Sequence, residues 1–233
     1  MTENMPQDTA SVRTIAIMGG TGKEGKGLAF RWLLAGYDVI IGSRQAEKAE
    51  AAATELAELI AGKNGGQVKG LANPDAATQA DLVVLTVPYS AHASTLEGLK
   101  DSLQGKILID VTVPLVPPRV TRVQMPPAGS ATQEAQQILG EGVQVVAAFQ
   151  SISYEHLMEE GEEIDCDVLV CGGNKAARAQ VLGLVKAAGM FGLDAGPAEN
   201  AVVVEGLTSI LIGINKQFGV KSSGIRITGI PRE

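Results

Sequence analysis

Residues 16–27 read AIMGGTGKEGKG, between the apolar run Thr14–Met18 and the segment LAFRWLL at 28–34. Gly20, Gly22 and Gly25 stand in a G-x-G-x-x-G spacing, with a strand-like run before them and a helix-like grouping after. In that setting the first glycine permits a tight turn and the second lets the backbone approach a pyrophosphate. The third lets helix and strand pack closely. The helix N-terminus adds unpaired N–H groups and a partial positive charge. The stretch therefore reads as a dinucleotide-binding turn.

Outward from it, the hydrophobic period switches repeatedly between strand and helix. Strands are predicted at Thr14–Met18, Asp38–Ile41, Gln67–Leu71, Leu82–Val87, Lys106–Val111 and Val143–Ala148. Helices are predicted at Lys23–Ala35, Gln45–Ala61, after Asn73-Pro74-Asp75, and at Ser90–Leu103. Val113–Pro127 reads as a proline-rich loop, and Ser130 with Gln133 reads as a capping box for a helix to Leu139. Near-continuous apolar strands alternating with helices mean a parallel sheet covered on both faces. The fold class is α/β: a Rossmann-type doubly wound parallel sheet over 14–148, with a smaller C-terminal α/β domain over 149–233. In that second part strands are expected at Val168–Cys171 and Gly192–Ala195, and helices at Lys175–Ala188 and Asn200–Phe218. GIRITGI, residues 224–230, alternates like an edge strand.

Composition narrows the class of partner. Of 233 residues 45% are hydrophobic but 3% aromatic, so the core is built of small aliphatic side chains. A net charge of −7 argues against nucleic acid or an anionic membrane as partner. No uninterrupted apolar run approaches the ~18 residues of a membrane span. Residues 1–13 lack the apolar centre of a signal peptide and read as a flexible polar tail, so the expected location is cytoplasmic. Cys166 and Cys171 have no histidine cluster beside them, and no metal site is expected. The acidic run Glu159–Asp167 reads as a solvated face.

Where a carboxylate usually holds the ribose 2′-hydroxyl of NAD, this chain reads Gly42-Ser43-Arg44-Gln45-Ala46-Glu47-Lys48. Ser43, Arg44 and Lys48 offer a hydroxyl and two cations for a 2′-phosphate, which predicts NADP as the cofactor.

The segments GGTGKEGKGLA, IIGSRQAEKA, LTVPYSAH, ILIDVTVPLV, DCDVLVCGG, LDAGP and GIRITG together resemble the NADP-dependent reductases of coenzyme F420, the 8-hydroxy-5-deazaflavin. The resemblance runs over about residues 14–230. It implies that Thr21, Gly22, Lys23 and Glu24 wrap the pyrophosphate and that Ser43, Arg44 and Lys48 take the 2′-phosphate. Val87 and Pro88 would lie beside the ribose and nicotinamide. Val116 and Phe149–Ile152, with Gln150, Ser151 and Ile152, would border the place where the two rings stack. The chain departs from the family at Gln150-Ser151-Ile152-Ser153, where members tend to read His-Thr-Ile-Pro.

Hydride transfer between two coenzymes suits a chain with two histidines, His92 and His156, far apart in sequence. No catalytic acid is assigned, and His92 is read as structural. An imine or small-carbonyl reductase and a non-enzymatic NADP-binding redox sensor are the alternatives. The almost entirely apolar Ala201–Ile214 is expected to pack across a twofold axis in a homodimer, and Gly224–Gly229 to wall the cleft.

Overall fold

The computed structural model describes residues 12–159, 161 and 164–232. The expected N-terminal tail, apart from Val12 and Arg13, lies outside the described residues, as do Glu160, Glu162 and Glu163 of the acidic run.

Strands β1 (Thr14–Met18), β2 (Asp38–Ser43), β3 (Val68–Ala72), β4 (Leu82–Leu85), β5 (Ile107–Asp110) and β6 (Gln144–Ala147) are all parallel. With β7 (Asp167–Gly172) and β8 (Phe191–Gly196) they form one sheet in the order 3-2-1-4-5-6-7-8. Alternate residues of each strand feed opposite faces. Ile15 and Ile17 join Val39, Ile41, Leu82 and Val84 on one side, while Ala16 and Met18 join Ile40, Val83 and Leu85 on the other. The first face is covered by α1 (Lys23–Leu34), α2 (Ala46–Leu59) and α7 (Lys175–Ala187). The second is covered by α3 (Asn73–Gln79), α4 (Tyr89–Leu99) and α5 (Ala131–Leu139). Burial on both faces explains why the strands read as unbroken apolar runs. Ser130 caps α5 by accepting from the Gln133 N–H, as the capping-box spacing predicts.

Residues beyond 148 extend the same sheet. Among the described residues between β6 and β7 lies the four-residue helix α6 (Tyr154–Leu157), packed on α1, and β7 returns antiparallel to β6. β8 then pairs parallel to β7 across α7. Trp32 on α1 ties this part to the rest. Its Nε1 donates to the Leu184 carbonyl of α7 at 2.9 Å, and its ring meets Phe149 edge-on at 5.8 Å. The neighbouring Arg31 donates to the carbonyls of His156, Leu157 and Glu159.

The expected edge strand at 224–230 does not form. The tail instead docks on the start of β7: Asp167 N–H donates to the Ile225 carbonyl, and the Asp167 carboxylate accepts from Ile227 N–H and from both terminal nitrogens of Arg232. These bonds use the backbone and carboxylate of one buried residue in place of a strand ladder. The last helix, α8 (Ala201–Phe218), packs its inner side on α5.

Candidate functional site

The chain reverses direction across the sheet between β1 and β4, and the C-terminal ends of those strands open into a cleft of about 840 Å³. This is where open α/β sheets bind ligands. Its floor is the turn after β1. Gly19 takes the left-handed conformation with φ 75°, so the tight turn falls one residue earlier than the motif spacing suggests. Gly20 and Gly25 lie underneath. A Cβ on Gly20 would sit 2.8 Å from the Ile17 carbonyl oxygen, and one on Gly25 would sit 2.7 Å from the Gly20 Cα and 2.8 Å from Thr86 Oγ1. These two glycines let α1 lie against β1, and Gly22 opens onto the cleft.

Among the expected site residues, Thr21, Gly22, Lys23, Glu24, Ser43, Arg44, Lys48, Val87, Pro88, Gln150 and Ile152 all line the cleft. Val116 does not. It is 45% exposed on the loop after β5, and its neighbours Leu115 and Pro117 line the cleft in its place. Ser151 is buried behind the wall, with its hydroxyl toward the Asp167 carbonyl at 3.4 Å. Gly224–Gly229 is not part of the wall either, because the Asp167 contacts hold the tail at the start of β7. Asn73, Thr86, Tyr89, Thr112 and Thr208 line the cleft without having been legible in the sequence. The first four come from helix starts and strand ends and Thr208 from within α8, places that only the topology brings together.

The cleft has two chemically different ends. Strand order sets Ser43, Arg44 and Lys48, beyond β2, apart from Val111, Val113, Leu115, Phe149 and Ile152, beyond β5 and β6. Among the described residues, Glu24 is the one acidic residue that lines the cleft. Lys23 Nζ donates to Tyr154 OH at 3.1 Å and lies 4.6 Å from that ring.

Two features mark the cleft as built for a polar ligand. Helices α1, α2, α3 and α4 all begin on it, and none has a side-chain cap. Away from it, α5 and α7 are capped by Ser130 and Asn174 and α8 has no side-chain cap, while α6, at the cleft's edge, is capped by Ser153. Uncapped first turns leave N–H donors and positive dipole ends for an anion. Further, the buried side-chain atoms without a partner among the described residues are Glu24 Oε1, Asn73 Oδ1 and Gln150 Oε1. All belong to cleft-lining residues. Such atoms are costly unless a ligand satisfies them.

Behind the wall, His92 is fully buried between two carboxylates. Its Nε2 lies 2.7 Å from Asp110 Oδ2 and its Nδ1 lies 3.3 Å from Glu134 Oε2. Burial opposes the imidazolium, but the Asp110 and Glu134 carboxylates outweigh it and raise the pKa. Asp110 in turn accepts from Thr112 N–H through Oδ1, and through its carbonyl from Gln150 Nε2 at 2.7 Å. His92 thus buttresses the cleft from behind and does not line it.

Strand order, glycine turn, uncapped helix starts and cationic rim together define a Rossmann-type dinucleotide-binding protein. Comparison with known proteins carries this further. Residues 14–114 match the family described as NADP oxidoreductase, coenzyme F420-dependent. The chain is 43% identical over 227 residues to the F420-dependent NADP reductase of Methanothermobacter thermautotrophicus, covering 95% of this chain and 97% of that one. To the F420-dependent NADP reductase of Methanocaldococcus jannaschii it is 40% identical over 221 residues, covering 93% and 98%. A crystal structure from Arthrobacter sp. FB24, described as a candidate F420-dependent NADP reductase, superposes with a TM-score of 0.73 at 27% identity. It covers 92% of this chain and 99% of that one. The chain belongs to the F420-dependent NADP reductase family.

Proposed function

We propose that the protein catalyses reversible hydride transfer between NADP(H) and coenzyme F420. The observation that carries this reading is the cleft, with Ser43, Arg44 and Lys48 beyond β2, uncapped helix starts along it and apolar side chains beyond β5 and β6, in a chain of this family.

Gly20, Thr21, Gly22, Lys23, Glu24 and Gly25 form the pyrophosphate turn in this reading, and Ser43, Arg44 and Lys48 hold the 2′-phosphate. Val87 and Pro88 border the ribose and nicotinamide, and Gln150 and Ile152 border the deazaflavin. Residues 14–148 then supply the NADP half and 149–233 complete the deazaflavin side. When bound, the coenzymes supply the redox chemistry, a hydride passing between nicotinamide C4 and deazaflavin C5. The protein contributes proximity, orientation and exclusion of water, for which Val87, Val111, Val113 and Phe149 are suited. Gln150 is anchored for this through Nε2 on the Asp110 carbonyl, which leaves its Oε1 to orient a ring N–H.

The test is the visible absorbance of coenzyme F420 mixed with NADPH and pure protein. It should fall with NADPH, and reduced coenzyme should recover it with NADP. Binding of NADPH without any absorbance change in either direction refutes the reading and favours a redox sensor.

We also infer a homodimer formed through α8. Val202, Val203, Ile210, Ile214 and Phe218 stand exposed on its outer side, Val203 at 62% and Phe218 at 69%. By length and composition the helical segment Ala198–Phe218 would pass for a membrane span. Its inner side is committed to the fold, however: the fully buried Glu205 accepts from the Ala131 and Thr132 N–H groups. An apolar outer face on such a helix suits a second copy of the chain. The compartment this reading assigns is the cytoplasm, which suits the two buried free thiols.

A further inference from the structure

Glu24 is out of place in a site for a pyrophosphate. It stands in the first turn of α1, lines the cleft, and is the one acidic residue there among the described residues. Its Oε1 is buried and has no hydrogen-bond partner among the described residues. An ionised carboxylate accepts hydrogen bonds and donates none, and the same is true of a pyrophosphate oxygen. Two acceptors of like charge cannot pair there. A neutral carboxylic acid has one O–H to give, and can pair.

We propose that Glu24 binds the dinucleotide as a neutral carboxylic acid, donating its O–H to a pyrophosphate oxygen, so that NADP(H) binding takes up a proton and weakens as the pH rises. The inference rests on the NADP reading above and adds to it the protonation state of one residue.

The surroundings support it. The titratable groups on the cleft besides Glu24 are Lys23 on α1, Arg44 after β2, Lys48 on α2 and Tyr89 on α4, with Tyr154 of α6 at its edge on Lys23. Tyr89 is turned to Glu134, 3.4 Å away. Burial is what shifts Glu24, pushing its pKa up to about 8, with no cation offsetting it. In the free protein the group therefore titrates just above neutrality, and an arriving pyrophosphate favours the protonated form further.

The experiment is calorimetric titration of the whole protein with NADPH, in chelator-containing buffers from pH 7 to pH 9. The 2′-phosphate, with a second pKa of about 6, is ionised throughout that range. With Glu24 titrating near pH 8, Kd should rise about tenfold between pH 7 and pH 9. Buffers of differing ionisation heat at pH 8 should report about half a proton taken up per site. The Glu24→Gln variant keeps a donor and cannot ionise, so its Kd should be flat across the range and its proton uptake should vanish. A wild-type Kd constant within about twofold, with no proton uptake, overturns the inference while leaving NADP binding intact. An equal rise in the Gln variant overturns it too. No NADPH binding at any pH takes down the NADP reading and the inference together. The proton count needs only wild-type protein, so it decides the matter even if the variant does not fold.

Discussion

Replacing His92 by leucine keeps the volume of a buried side chain and removes the cation between Asp110 and Glu134. In the native structure the His92 and Asp110 side chains are both 0% exposed and 2.7 Å apart, and the Glu134 side chain is 27% exposed. Without the imidazolium, Glu134 can turn to water, but Asp110 cannot. Its Oδ1 still accepts from Thr112 N–H, while Oδ2 faces an apolar side chain in a closed core. Breaking a buried pair from one side costs about 3–5 kcal/mol. That is a large share of the ~5–15 kcal/mol that holds a typical domain. Urea unfolding followed by circular dichroism at pH 7 should show this loss as a lower midpoint. Adding Asp110→Asn to the leucine variant should recover part of it, since the stranded charge is then gone. The wild type should also carry a pH signature. The imidazole pKa is raised on folding, so its stabilisation is complete below about pH 6.5 and is lost as the pH climbs through the raised value. The leucine variant lacks that component. A loss below about 1 kcal/mol at pH 7 would refute the buried-pair reasoning.

Arg44→Ala should weaken NADPH about tenfold to thirtyfold and NADH by less than about twofold, since one charge-assisted hydrogen bond is worth roughly 1.5–2 kcal/mol. Equal losses for the two nucleotides, measured by calorimetry, reject Arg44 as a 2′-phosphate ligand. Gly25→Val should abolish NADPH binding and lower the melting temperature, because its Cβ would meet the Gly20 Cα at 2.7 Å and push α1 off the turn. Unimpaired binding in that variant means the close approach of α1 is dispensable. Val203→Asp combined with Ile210→Asp should halve the mass seen by light scattering, as both residues stand at least half exposed on α8. A persistent dimer places the interface elsewhere.

The strands were legible because both of their faces are buried. The buried residues of TIAIM, Ile15–Met18, and all of LVVL are apolar, and helices therefore had to cover each side of the sheet. The phosphate turn was legible because glycine spacing reports backbone approach directly. Strand direction has no such signature. Val168–Cys171 reads as a strand whichever way it runs, and its antiparallel pairing with β6 leaves no mark on its own residues. GIRITGI misled because alternation predicts pairing only where an edge is free, and the Asp167 contacts took the tail first. Thr208 was hidden for a further reason. It sits in a helix read as an interface, and its hydroxyl donates to the Gln150 carbonyl at 2.7 Å, joining the cleft from the far end of the chain.

Helix α1 starts at the phosphate turn and carries Arg31 and Trp32 near its other end, each reaching into the part of the chain beyond residue 148. Local opening of α6 strips two carbonyls from the Arg31 guanidinium, and opening of α7 strips the Trp32 indole of its acceptor. Neither segment can therefore breathe without loosening the helix on which the dinucleotide would rest. Amide hydrogens of α6 and the middle of α7 should share part of their protection with α1 in hydrogen exchange. A nucleotide that stiffens the first turn of that helix slows their exchange with solvent, far along the sequence from any atom it touches.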